Sequence, residues 1–437
     1  MAGTILVVDV RPAHSTSHLS TSVYMALLLS APILYELGVT LSGSDRIPGG
    51  PAVGPLALLL TMTASAVSCL LCQGDGEWSP PARVWFALVI VLWLYFAWAE
   101  ASHDGRTDLA AIFVPLTAAL LWLRKPRHVD VWTAGDVFAW VLIGASFTVL
   151  ALEVVGVVPS WYRSMGGYFV ELSIYDRESH WLLIGSALGL DGRWGGPLRD
   201  PNLMGPLGAF LVVYGFSRRR VKRIVFVLGG VLLVLLSDSR AAYAALAVGL
   251  LLLLLLPGWG SRLFTFTVPK VLAVVVGLAA GARLLRDYQV NPGGTLTMTG
   301  RTSMWPDFLS LWADSRMTGV GTPAIWQAIE DGRLPEWAAH GHNQYIDTVV
   351  RYGAVGLVLT CSVFALALGI AVVGASRGVG VGIAAMGVVF VATISNLAVD
   401  LRYPSPTFSV ILLAVLLAVT APRSAANATP AWEGASP

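Results

Sequence analysis

The chain has 437 residues, 56% of them apolar and only 12% charged, with a formal net charge of +2. Soluble domains carry about 25% charged residues, so this chain has too little charge to cover a water-facing surface. The near balance of charge, with no basic stripe interleaved with aromatics, speaks against a nucleic-acid partner.

Apolar runs of roughly 17–25 residues recur, the length that crosses about 30 Å of hydrocarbon as a helix. Runs such as Ala241–Leu256 are continuous, whereas strands of a membrane barrel alternate apolar and polar residues. Backbone in lipid must satisfy its own hydrogen bonds, so the expected fold is all-α: a polytopic membrane helical bundle of about twelve transmembrane helices.

In chain order, a polar tail over 1–20 comes first. Asp9 and Arg11 interrupt its short apolar stretch, so it does not read as a cleavable signal peptide. Five helices follow within 21–158, at 21–41, 52–72, 82–99, 108–123 and 135–158. A loop over 159–200 leads to four more within 201–285, at 201–216, 223–237, 240–257 and 268–285. A large loop over 286–352 contains a short amphipathic helix from Arg301 to Ser315, and Gly319–Pro323 reads as a turn. Three helices close the chain within 353–421, at 353–374, 378–398 and 405–421. The tail 422–437, rich in Ala, Ser, Asn and Pro, is expected to be disordered.

Basic residues in short loops set orientation. Arg124–Arg127 and Arg218–Arg223 fall on one side in this span count, as do all three lysines and both termini. That side is expected to be cytoplasmic, with both long loops outside. Cys69 and Cys72 form a CxxC by spacing, but inside an apolar run they read as small apolar residues on one helix face rather than as a redox pair.

The polar chemistry gathers on the external face of the second half. Asp200-Pro201-Asn202 is a helix-start signal, so Asp200 reads as a cap, while Arg199 and Asn202 line a polar site. Asp238 or Ser239 caps the helix that begins at Arg240. An arginine fork beside the free N–H groups of a helix start is suited to phosphate, although an interfacial arginine snorkelling to lipid headgroups has the same sequence. Arg301 lies in the large loop, and His340 and His342 lie in Ala339-His340-Gly341-His342-Asn343-Gln344-Tyr345 at its end. His-x-His spacing occurs in metal sites, but no third ligand of the right type is evident. Two arginines for an anion and a histidine for a proton suit transfer chemistry, and anion transport would use similar parts.

These pieces occur in an order that resembles the O-antigen ligase and polymerase superfamily of envelope glycan enzymes. The resemblance rests on Asp200-Pro201-Asn202, Ser239-Arg240, Gly300-Arg301 with Trp305, His342-Asn343-Gln344-Tyr345 and the glycine-rich Tyr352–Gly356, over roughly 200–375. It implies a C-type, inverting glycosyltransferase that needs no metal or other cofactor. The donor would be a glycan on polyprenyl diphosphate, and the acceptor a hydroxyl of a glycan, lipid or protein. By the same resemblance, Arg240 and Arg301 would bind the diphosphate and His342 would be the general base. Asn343, His340, Arg199, Asn202 and Tyr345 would support them. A polymerase of lipid-linked repeat units, or a transporter or flippase, is the alternative reading.

Overall fold

The computed structural model describes residues 17–42, 53–71, 77–103, 112–157, 194–237, 239–255, 301–335, 338–396, 398–399 and 405–421. The described residues are helical throughout and contain no strand. Thirteen α-helices run in the order α1 Ser17–Ser42, α2 Val53–Leu71, α3 Pro80–Ser102, α4 Phe113–Leu123, α5 His128–Val154, α6 Pro201–Phe216 and α7 Arg220–Ser237, then α8 Arg240–Leu255, α9 Arg301–Trp312, α10 Gly321–Glu330, α11 Gln344–Ser376, α12 Val381–Ser395 and α13 Pro406–Thr420. Four contain segments long and apolar enough to cross a membrane: Thr21–Leu41, Pro80–Ser102, His128–Val154 and Gln344–Ser376. The helix expected at 268–285, most of the 159–200 loop, residues 1–16 of the expected N-terminal tail and the tail 422–437 lie outside the described residues, while residues 17–20, expected in the tail, open α1.

The bundle is organised around α13, which is buried from Pro406 to Ala418 and packs on α1, α5, α6, α11 and α12. A helix apolar on every face has no surface to give to water. Helix α6 is equally enclosed from Met204 to Phe216. It meets α7 where Gly208 faces Gly230, and a Cβ on Gly208 would lie 2.8 Å from the Gly230 carbonyl oxygen. Only small residues allow backbones so close, the packing device of helices in lipid. Trp85 in α3 donates its indole N–H to Val363 O at 3.0 Å, fixing α3 against α11. Cys69 is buried in α2, where its thiol reaches Leu120 O at 3.5 Å.

Side-chain bonds define the two ends of the bundle. At one end Tyr24 donates to Arg124 O, Ser22 donates to Asp130, and Arg218 and Lys222 share Asp136. The Arg124–Arg127 and Arg218–Arg223 segments therefore occupy the same end, as the sequence implies. At the other end Thr40 donates to Pro197 O, and Trp194 links Glu153 of α5 to the backbone of Leu236 in α7.

Above that second end sits a separate small core. Met304, Phe308 and Leu311 of α9 pack with Ile325 and Ala328 of α10 and with Val349 and Val350 of α11. Two expectations fail here. Gly319–Pro323 is not only a turn, because α10 starts at Gly321 once Val320 N finds Val350 O at 2.9 Å. The helix expected at 353–374 begins not at Gly353 but at Gln344, so nine residues assigned to the large loop are helical. Gly353 (φ 66°, ψ −168°) breaks the helix there. The break leaves backbone donors that the 316–317 turn satisfies, with Ala354 N on Arg316 O at 2.9 Å and Val355 N on Met317 O at 3.2 Å. A Cβ at Gly353 would collide with Met317 O.

Candidate active site

The starts of α6, α8 and α11 meet the C-terminal end of α12. Asp200 caps α6, its carboxylate accepting the Asn202 N–H at 2.7 Å. This is the cap expected from Asp-Pro. The other carboxylate oxygen accepts from Asn396 Nδ2 at 2.6 Å, which ties α6 to the end of α12. Ser239 precedes α8, and its carbonyl takes the first helical bonds from Ala242 and Tyr243. Its hydroxyl donates to Asn202 Oδ1 at 3.2 Å. Asp238 lies outside the described residues.

Asn343 caps α11, accepting from Tyr345 N at 2.9 Å and Ile346 N at 3.2 Å. Its amide N–H donates to Ile394 O at 2.9 Å, and Tyr345 OH lies 3.3 Å from Thr393 Oγ1. A continuous line of bonds thus runs from Ser239, next to Arg240, through Asn202, Asp200 and Asn396 to α12, and from Ile394 to Asn343, next to His342. Asn202, Asn343 and Tyr345 act in it as joints.

Arg240 opens α8 with its side chain exposed. Arg301 opens α9, and its side chain lies outside the described residues. Four residues on, Trp305 donates to Gly341 O at 2.9 Å, so the start of α9 is moored to the histidine loop. Arg199 adopts φ 57° and pairs with Glu36 of α1 at 3.7 Å.

His342 sits in the left-handed region at φ 47°. A non-glycine residue held there is uncommon and marks a backbone fixed by its surroundings. Its N–H donates to His340 Nδ1 at 3.2 Å, and the two rings lie 4.0 Å apart, centroid to centroid. His340 therefore presents Nδ1 as an acceptor toward its neighbour's backbone. Among the described residues no group of three His, Cys, Asp or Glu is arranged to hold a metal.

The loop is gripped from below by residues that local sequence reading passed over. Asp347 Oδ1 accepts the Gly341 N–H at 2.9 Å, and Arg351 Nη2 donates to Ala339 O at 2.6 Å. Asp347 and Arg351 are themselves paired at 2.8 Å, both buried, four residues apart on α11. An acid and a base at i and i+4 at the head of an otherwise apolar helix was a readable signal.

Residues 224–361 match the family model for O-Antigen ligase. Over this stretch the chain is similar to the O-antigen ligase family. The matched O-antigen ligase stretch holds Arg240, Arg301, His340, His342, Asn343 and Tyr345, while Arg199, Asp200, Asn202 and Asn396 fall outside it. A search of the curated proteins returns no match. The membrane-type helices and the O-antigen ligase match together point to a membrane glycan ligase or polymerase type of function.

Proposed function

We propose that the protein transfers a glycan from polyprenyl diphosphate to an acceptor hydroxyl at the extracytoplasmic face of the bacterial inner membrane. The observation that carries this reading is the line of hydrogen bonds joining the start of α8, beside Arg240, to the His342 loop. It brings a fixed cation and a titratable imidazole to one end of the bundle. The opposite end carries the basic loops, which the positive-inside rule assigns to the cytoplasm. In this reading the bundle crosses the membrane about twelve times.

Arg240 and Arg301 hold the diphosphate by paired N–H donors. His342 takes the proton of the acceptor hydroxyl, whose oxygen attacks the anomeric carbon from the face opposite the leaving group. The bond from that carbon to the diphosphate oxygen breaks with inversion, and the lipid diphosphate departs with the electron pair. Cations held beside the leaving group stabilise the charge that grows on it, so the reaction needs no metal. A positioned general base contributes about 10²–10⁴-fold.

The test uses the purified chain in proteoliposomes, a polyprenyl-diphosphate-linked glycan and an envelope acceptor fraction, read by product mass. The wild type forms a glycosidic product, and Arg240→Ala, Arg301→Ala and His342→Ala lose it. Arg240→Lys loses most of it, because an ammonium keeps charge but not the bidentate fork. Product from His342→Ala at the wild-type rate would overturn the reading. Products that lengthen by whole repeat units on the lipid carrier would identify a polymerase.

A further inference from the structure

The bonds that hold the histidine loop lead out of the family-matched stretch to α3. Arg351 fixes Ala339 O and Asp347, and its remaining donor Nη1 goes to Thr322 Oγ1 at 2.7 Å. A hydroxyl that accepts from a guanidinium must point its own proton elsewhere. Thr322 points it at Glu100 Oε1, 2.6 Å away. The same carboxylate accepts from Tyr352 OH at 3.0 Å and from Thr322 N at 3.4 Å. Glu100 is 1% exposed, as is Asp347, and Arg351 is 2% exposed.

We infer that Glu100, on the last turn of α3, is a positioning residue for His342. The bonds run in sequence from Glu100 to Thr322, to Arg351, to Asp347 and Ala339 O, and so to the backbone on both sides of His340, up to the residue before His342. Glu100, Arg351 and Asp347 are in low-dielectric surroundings, where polar partners act as a unit and an unpartnered one is costly. Without the Glu100 carboxylate, the Thr322 hydroxyl turns to a new acceptor and Arg351 loses a fixed partner. The guanidinium then no longer holds the loop in the left-handed geometry that presents His342. Tyr352 reinforces the link, because its ring stacks on Phe96 of α3 with centroids 3.8 Å apart.

The catalytic readout of this inference rests on the proposed function, so the experiment includes a second readout that does not. The full chain in nanodiscs is compared as wild type, Glu100→Ala, Glu100→Gln, Glu100→Asp, His342→Ala and the Glu100→Ala/His342→Ala double variant. Amide hydrogen exchange is followed at residues 339–343 and in α6. Glu100→Ala accelerates exchange at Gly341 and His342 by about tenfold, the effect of losing one stabilising bond, and leaves α6 unchanged. With a polyprenyl-diphosphate-linked glycan as donor, kcat falls by about 10²-fold, the scale expected of a misplaced catalytic group, while KM for the donor stays constant. Glu100→Asp regains part of kcat, and the double variant is no slower than His342→Ala alone. Where Glu100→Ala yields no folded protein, Glu100→Gln and Glu100→Asp carry both readouts. Unchanged exchange at 339–343, acceleration spread equally to α6, or a rise in KM at constant kcat would overturn the inference. Full activity of His342→Ala would instead overturn the proposed function, and the exchange result would still decide the place of Glu100.

Discussion

The two ends of the bundle use ion pairs differently. At the basic end, Asp136 meets both Arg218 and Lys222, whose side chains keep 20% and 49% of their exposure. Arg218 also lies over the Trp132 ring, 4.8 Å from its centroid. These cations stay within reach of water and headgroups, and their bonds join helix to helix. At the site end, Asp347 and Arg351 are enclosed, and they hold the backbone of one short loop while Arg351 also donates to Thr322 of α10. A half-exposed pair fastens two elements, whereas an enclosed pair bonded to a loop backbone specifies a geometry. The two ends should therefore differ in how stability and activity respond to the same kind of change.

The largest effect is expected from Arg351→Ala. Removing one partner of an enclosed pair leaves an uncompensated charge, at a cost of about 3–5 kcal/mol. Thermal unfolding in detergent should register it, with loss of glycan product. Replacing both partners, Arg351→Met with Asp347→Leu, should recover much of the stability and none of the activity. Recovered activity would erase the contrast between the ends.

Gly353→Ala comes next. The left-handed backbone and the collision with Met317 O cost about 1–3 kcal/mol, read as a lower unfolding midpoint and as faster exchange at Ala354 and Val355. At the basic end, Asp136→Asn should cost about 2 kcal/mol, the scale of a bond to a charged group, and leave activity per folded molecule unchanged. A drop in activity there would show that the two ends are coupled. The smallest effect is Asn343→Ala, which removes a helix cap worth about 1 kcal/mol. Its loss should show more in turnover than in stability, since the same side chain ties α11 to Ile394 O.

The sequence was most legible where structure is local. Helix α6 spans 201–216 as read, because a cap, a proline at the first position and an apolar run all lie within one stretch. The Asp200 cap and the Ser239 helix start were readable for the same reason. Helix α10 was not, since Gly-Thr-Pro reads as a turn until Val350 O, thirty residues away in the chain, accepts from Val320 N. Proline in the first turn of a helix costs it no bond. The early start of α11 was hidden by Asp347 and Arg351, which look foreign to a membrane helix until each is seen to neutralise the other. Arg240, Arg301 and His342 were singled out from short motifs, with Asn202, Asn343 and Tyr345 beside them. Asn396 and Glu100 were not, because Asp200 and Asn396 are 196 residues apart and Glu100 and Thr322 are 222 apart. Pairings at such distances have no periodic signal in a single chain.

The small core above the site has an order of assembly written into it. Ribosomal synthesis delivers α9 and α10 before α11, yet the apolar faces of Met304, Phe308 and Leu311 close on Val349 and Val350. The break at Gly353 also fills only when the already synthesised turn at 316–317 swings onto it. Until α11 emerges, the cap is a pair of amphipathic helices without a floor, exposed to whatever apolar surface lies nearest. Maturation of the histidine loop is thereby deferred to the final third of translation, when α11 has been made.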